Sequence, residues 1–294
     1  CRSKAALGLP RGISRRQPPA STARRTGGRL VSALSETLHS TVKEKLASGG
    51  VVSSMTVRLV PSVEIVQIIK SAGFDTFYID LEHSSLTIET TNQIATMALA
   101  AGIDCFARVP ANTPDYISRV LDGGCMGVIA PGVSSVAEAQ AVVAAAKYAP
   151  VGDRGVSGAL PVTGFQAIPD LYAEVNAVTT VMVMFESQAA LDAADDIAAV
   201  DGVDMVMIGT NDMLADFGLS GQFDHPRVKD AYARTIDACA KHGMHVGVGG
   251  LASRPDLVAE FVKMGARYVS TGTDLNFLLA AAQEKAAAVA TLGT

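Results

Sequence analysis

Four apolar runs in this chain end in residues able to carry charge or move a proton. Tyr78-Ile79-Asp80-Leu81-Glu82-His83 places two acids and a histidine within four positions. Ala107-Arg108-Val109-Pro110 closes on a guanidinium, and Val181-Met182-Val183-Met184-Phe185-Glu186 is apolar until its last residue. Met205-Val206-Met207-Ile208-Gly209-Thr210-Asn211-Asp212 reaches a carboxylate just past its end. An ionised group beside a buried strand costs free energy unless it is paired or bound to metal. One strand-end acid reads most simply as a helix cap or a salt bridge; four strand ends converging with this mix of acids, histidine and arginine read as a site. Glu186 and Asp212, with no cysteine or second histidine beside them, suit a hard divalent cation that keeps several waters, Mg²⁺ or Mn²⁺ with Co²⁺ as a further candidate. A ligand offering a carboxylate and an adjacent carbonyl could chelate that ion, which would stabilise an enolate as a Lewis acid. Arg108 would add fixed positive charge near the developing oxyanion. His83 would transfer the proton near neutral pH, while His39, His225, His242 and His245 read as surface or structural residues.

These side chains need a scaffold that gathers strand ends. From about residue 36 the chain alternates apolar runs with amphipathic segments, eight of each. Strands are predicted over 51–58, 76–81, 104–109, 126–130, 180–186, 204–208, 245–249 and 268–272. Most are continuous apolar runs, the pattern of parallel strands covered on both faces. Helices are predicted over Ser62–Ser71, Thr87–Ala101, Pro114–Asp122, Ser135–Tyr148, Gln188–Val200, Pro226–His242, Arg254–Met264 and Asp274–Ala290. Several end at a glycine, as at Gly73, Gly102 and Gly243, the usual helix stop. Eight such units in about 250 residues are the rhythm of an α/β fold of the (β/α)8 TIM-barrel type, whose active sites lie at the C-terminal strand ends. The alternative, a doubly wound open sheet, would call for a glycine-rich phosphate loop that the sequence lacks.

The 294 residues are 49% hydrophobic and 18% charged, enough to bury one large core or two small ones. Charges interrupt every apolar run before it reaches the roughly 18 residues of a membrane span. Residues 1–35 hold eight Lys and Arg and no Asp or Glu, with Arg15-Arg16, Pro18-Pro19 and Arg24-Arg25 set among Ser, Thr and Ala. This is the composition of an organelle transit segment or of a basic disordered tail, and Cys1 in place of Met leaves a processed or misassigned start open. A single barrel domain over 36–294 is expected, in an intracellular protein that is cytoplasmic, or mitochondrial or otherwise organellar if the leader is a transit segment. After the leader, 16 basic residues face 29 acidic ones, a poor match for nucleic acid. Four scattered cysteines, Cys1, Cys105, Cys125 and Cys239, argue against a disulfide framework or structural zinc and for a reducing compartment.

The blocks Ile79-Asp80-Leu81-Glu82-His83, Ala107-Arg108-Val109-Pro110, Arg154-Gly155-Val156, Phe185-Glu186-Ser187 and Val200-Asp201-Gly202-Val203-Asp204 through Ile208-Gly209-Thr210-Asn211-Asp212, in this order, resemble the metal-dependent HpcH/HpaI aldolases. These are the 4-hydroxy-2-oxoheptanedioate and 2-keto-3-deoxy sugar acid aldolases. The resemblance runs from about Val51 to Leu279. It implies a (β/α)8 barrel that reversibly cleaves a 4-hydroxy-2-oxo acid to pyruvate and an aldehyde. Carried over by position, Glu186 and Asp212 are the metal ligands and Arg108 stabilises the enolate and alkoxide. His83 accepts the proton through a water, and Asp122 raises the basicity of that histidine. Asp80 and Glu82 organise the groups around the site, while Met184, Gly209, Asn211 and Asp212 contact substrate, Asn211 through its backbone N–H.

The resemblance also implies a homo-oligomer, a hexamer, with the last helix packed on a neighbouring subunit; the Ala-rich segment Phe277–Leu292 is compatible with that. Met184 stands where many members have glutamine, and Thr210-Asn211 replaces the usual Pro-Ala or Pro-Phe. The loop from Ser157 to Phe165 holds no acid or base to grip a second carboxylate, which weakens the heptanedioate as substrate and leaves a shorter or neutral aldehyde open. The same enolate would serve an oxaloacetate decarboxylase or a macrophomate-synthase-like enzyme. Further alternatives are an acyl-CoA lyase, disfavoured by the acidic body, and a non-catalytic binding barrel, disfavoured because Glu186, Asp212, Arg108 and His83 are all present.

Overall fold

The computed structural model describes residues 38–293; the basic segment over 1–35 and Cys1 lie outside the described residues. Eight strands, β1 (Val52–Val57), β2 (Thr76–Asp80), β3 (Asp104–Arg108), β4 (Gly127–Ala130), β5 (Thr180–Phe185), β6 (Met205–Gly209), β7 (His245–Gly249) and β8 (Tyr268–Thr273), close into a barrel in chain order. Every pairing is parallel, β8 returning to β1 with an irregularity between Ser54 and Thr56. The fold is the expected (β/α)8 barrel.

Twelve α-helices accompany the strands among the described residues: α1 (Thr41–Ala47), α2 (Ile65–Ser71), α3 (Ile88–Ala101), α4 (Pro114–Asp122), α5 (Val136–Ala146), α6 (Leu171–Val178), α7 (Gln188–Asp192), α8 (Ala194–Ala198), α9 (Thr210–Asp216), α10 (Pro226–Lys241), α11 (Pro255–Met264) and α12 (Asp274–Ala290). Side-chain oxygens of Thr87, Ser135, Ser187 and Thr273 accept the backbone N–H three residues on, opening α3, α5, α7 and α12, as N-caps do. Gly102, at φ 66°, ends α3 in the left-handed conformation that glycine adopts without steric cost. Three helices, α1, α6 and α9, were not expected, and the segment expected as one helix over Gln188–Val200 breaks at Ala193 into α7 and α8. None of these helices is long and apolar enough to cross a membrane.

Strand residues alternate between two cores, because successive side chains point to opposite faces. Phe77, Ile79, Cys105, Ala107, Val181, Val183, Val206 and Ile208 pack outward under the helices. Tyr78, Phe106, Ile129, Met182, Met184, Met205, Met207 and Tyr268 fill the barrel interior. Helix α1 closes the N-terminal end of that interior with Val42 and Leu46. It is fastened by buried Asp104, whose Oδ2 accepts from Ser40 Oγ (2.6 Å) and the Val42 backbone N–H (3.0 Å). Cys105, Cys125 and Cys239 are buried free thiols.

Candidate active site

The same period of two that builds the inner core delivers the chemistry. Tyr78, Phe106 and Met184 belong to the interior set, so Asp80, Arg108 and Glu186, each two residues further on, carry the same facing at the C-terminal rim. Arg108 donates from Nε to Asp80 Oδ1 (2.9 Å) and from Nη2 to Oδ2 (2.7 Å), and its Nη1 lies 3.1 Å from Glu82 Oε2. Asp80 is fully buried and Arg108 is 8% exposed. Burial alone pushes the Asp80 carboxyl up, but the Arg108 hydrogen bond and charge outweigh it and hold the pKa below its ordinary value. Asp80 Oδ1 also accepts the backbone N–H of Glu82 and of His83, both at 3.2 Å, so one carboxylate shapes the loop that carries the histidine. His83 is half-exposed, with Nε2 3.5 Å from Glu82 Oε2.

On the other side of the rim, Glu186 Oε2 accepts the Gly132 backbone N–H at 2.7 Å. Its pKa is pushed up to about 7, first by burial and then by the negative charges of Asp212 and Glu82, against the opposing Gly132 hydrogen bond. Asp212 sits in the first turn of α9, directly after β6. Gly209 leaves room for the glutamate: a Cβ there would lie 2.7 Å from Glu186 Cγ and Oε1. A carboxylate whose proton affinity is raised by burial and by a second carboxylate beside it belongs to a donor set suited to a divalent cation. Among the described residues no group of three His, Cys, Asp or Glu is placed to hold a metal, so two protein ligands with water or substrate completing the sphere is the arrangement this pair fits.

A cavity of about 420 Å³ opens at this rim, lined among others by Tyr78, Asp80, His83, Arg108, Met184 and Asp212. Gly209 and Asn211 also line it. Thr210, where the resemblance led one to expect proline, is buried and anchored between Tyr232 Oη (2.9 Å) and the Gly249 carbonyl (2.7 Å). Asn211 Nδ2 donates to the Gly250 carbonyl at 3.3 Å, tying the start of α9 to the loop after β7. Two residues of this rim were not singled out from the sequence. Arg58 lines the cavity just past β1 and donates from Nε and Nη2 to the His83 carbonyl, at 3.2 and 2.6 Å. Asp274, first in α12, accepts the backbone N–H groups of Arg58, Leu59 and Val60 at 3.0, 2.9 and 2.9 Å.

A profile of the HpcH/HpaI aldolase/citrate lyase family matches residues 60–281. The chain belongs to this family. It is 38% identical over 253 residues to a 4-hydroxy-4-methyl-2-oxoglutarate aldolase of Hapsidospora irregularis, covering 84% of this chain and 94% of that protein. It is 36% identical over 221 residues to a 5-keto-4-deoxy-D-glucarate aldolase of Enterobacter sp. strain 638, covering 75% and 85%. The crystal structure of an HpcH/HpaI aldolase from Desulfitobacterium hafniense DCB-2 superposes with a TM-score of 0.80 at 31% identity, over 84% of this chain and 96% of that one.

Two expectations about this HpcH/HpaI family member meet a different geometry. Asp122 is the last residue of α4, close before β4 begins, and therefore lies at the N-terminal end of the barrel, away from His83. Its Oδ1 accepts from Arg154 Nη2 at 2.6 Å, and the buried Arg154 guanidinium stacks over Tyr148 at 4.5 Å. The loop from Ser157 to Phe165 does not line the rim cavity of its own chain either. Pro161, Val162, Gly164 and Phe165 instead border a second cavity of about 380 Å³ beside Leu38, Asp104 and Met126 at the opposite end. The loop's lack of charge consequently says nothing about which groups meet substrate within one chain.

Proposed function

We propose that this chain is a divalent-cation-dependent aldolase that reversibly cleaves a 4-hydroxy-2-oxo acid to pyruvate and a carbonyl fragment. The observation that carries the reading is the meeting at one rim of the mutually repelling carboxylates Glu186 and Asp212 with a cavity that Arg108 and His83 line. Glu186 and Asp212 would hold Mg²⁺ or Mn²⁺, with Co²⁺ as a third candidate. Bound there, the cation supplies Lewis-acid polarisation of the 2-oxo carbonyl.

The protein groups perform the rest. The first-turn backbone N–H groups of α9, at Asn211 and Asp212, receive the carboxylate of the 2-oxo acid. His83 takes the proton of the 4-hydroxyl through a water; the C3–C4 bond breaks, the new carbonyl leaves, and its bonding pair becomes the enolate. Arg108, locked in orientation by Asp80, faces the negative oxygen as it develops, where a fixed charge in a water-poor site is most effective. Return of a proton to C3 completes pyruvate. Met184 and Gly209 shape the wall beside the 2-oxo group.

Within one chain Asp122 pairs with Arg154, so the role of Asp122 in raising the basicity of His83 would call on a second copy. The proposed hexamer supplies one, and α12 supports it: Leu278 and Leu279 are 59% and 52% exposed, apolar surface that a neighbouring subunit would cover. The two named relatives act on 4-hydroxy-4-methyl-2-oxoglutarate and 5-keto-4-deoxy-D-glucarate, and these are the first substrates to test. Pyruvate release from either, dependent on added cation and lost in Arg108→Ala, supports the reading; release that is indifferent to cation counts against it.

A further inference from the structure

The 2-oxo acid half of the substrate meets Arg108 and the start of α9, whereas the departing half has no group assigned to it. Arg58 and Arg108 are the two Lys or Arg side chains that line the cavity. Arg108 has all three nitrogens engaged, Nε and Nη2 on Asp80 and Nη1 beside Glu82. Arg58 is held along one edge only. Asp274, itself 5% exposed, fixes its backbone, the His83 carbonyl takes Nε and Nη2, and Nε lies 3.2 Å from Asp80 Oδ2.

Its Nη1 makes no hydrogen bond among the described residues, and the side chain is 35% exposed. A guanidinium already oriented on one edge and open on another is preorganised to take a carboxylate with little further loss of side-chain freedom. Thr273 and Asn276, at the start of α12, also line the cavity and are neutral hydrogen-bonding groups, while the acid between them, Asp274, spends both carboxylate oxygens on the backbone N–H groups of Arg58, Leu59, Val60 and Leu275.

Resting on the aldolase reading above, we propose that Arg58 receives the carboxylate of the departing carbonyl fragment, making the chain selective for 4-hydroxy-2-oxo acids with a second carboxylate on the C4 side. The loop from Ser157 to Phe165, whose lack of charge left a shorter or neutral fragment open, does not line this cavity, and Arg58, just past β1, takes that role.

The test compares cleavage of 4-hydroxy-4-methyl-2-oxoglutarate with that of 4-hydroxy-2-oxopentanoate, which releases neutral acetaldehyde, in wild type, Arg58→Gln and Arg58→Lys. The wild type should favour the carboxylated substrate in kcat/KM. Arg58→Gln should reduce that preference at least about tenfold, as expected for loss of a charge-assisted hydrogen bond, chiefly through KM, and Arg58→Lys should restore part of it. A preference ratio unchanged in Arg58→Gln overturns the inference, even where both rates fall together through a slackened His83 loop. A wild type that favours the neutral substrate overturns it as well, and that comparison decides the matter should the variant not fold. Exchange of the pyruvate methyl protons by the wild type separates the two readings: with exchange present, failure concerns Arg58 alone, and without it the aldolase reading itself falls.

Discussion

Arg108 grips Asp80 with two parallel hydrogen bonds, 2.9 and 2.7 Å long, and the acid it grips is fully buried. The pair sits between neighbouring strands in direct register, Asp80 opposite Arg108, so the barrel's own pairing sets the fork. Removing one partner of such a pair leaves an uncompensated charge, at a cost of about 3–5 kcal/mol. Asp80→Ala should therefore lower the urea-unfolding free energy by about that amount and abolish turnover. Arg108→Lys should keep most of the stability yet lose catalysis, because a point charge cannot reproduce the fork. Full activity in Arg108→Lys would remove the guanidinium from the mechanism.

Glu186 offers a pH-dependent signature. Its pKa in the folded, metal-free chain is raised to about 7, so between about 4.5, the ordinary value, and 7 the folded state holds a proton that the unfolded chain has released. Stability from this group is present below the ordinary value and is lost as pH rises through 7. A cation binding at Glu186 must displace that proton. Calorimetric titration with Mg²⁺ or Mn²⁺ at pH 6.5, in buffers of different ionisation enthalpy, should register net proton release; Glu186→Gln should show none. Equal heats in both buffers for the wild type would separate Glu186 from the metal.

Gly209→Ala tests the same site from the backbone side. The added methyl would sit 2.7 Å from Glu186 Cγ and Oε1, while φ of −84° at this position suits any residue. Cation affinity should fall about tenfold or more as Glu186 is displaced, with thermal stability altered far less. Unchanged affinity would show that Glu186 need not occupy this position to bind.

The eight strands were legible because most are buried on both faces, as in β5 and β6, and read as continuous apolar runs between polar helix entries. The rim acids, Arg108 and His83 followed from the strands, since whatever ends a barrel strand at its C-terminus is brought to one face. Helix α9 was hidden: Thr210-Asn211-Asp212-Met213-Leu214-Ala215-Asp216 is too short to show a period, and Thr210 is anchored by Tyr232 and Gly249, contacts from distant segments. The break at Ala193 carries no glycine or proline to announce it. Arg58 was not singled out, because its meaning lies in partners 25 and 216 residues away, His83 and Asp274. Asp122 shows the reverse case, a position matched by resemblance whose partner within one chain is Arg154 and not His83.

His83→Ala separates proton transfer from binding. The imidazole is half-exposed at the cavity, and the loop beneath it is shaped by Asp80 and Arg58 through backbone groups, so truncation leaves those supports intact. Cleavage should fall by about 10²–10⁴-fold, the range of general acid–base catalysis, with pyruvate still able to inhibit competitively. Near-normal turnover would assign the proton to another group.

The central claim is that this rim forms a pyruvate enolate with the help of a divalent cation. Deuterium exchange at the pyruvate methyl group in D₂O, followed by proton NMR with the intact protein, first in EDTA and then with Mg²⁺ or Mn²⁺ restored, tests it most directly. The account predicts loss of the methyl signal only when cation is present, and no such loss in Glu186→Ala or Asp212→Ala. Exchange that persists in EDTA, or fails with every cation supplied, would contradict it.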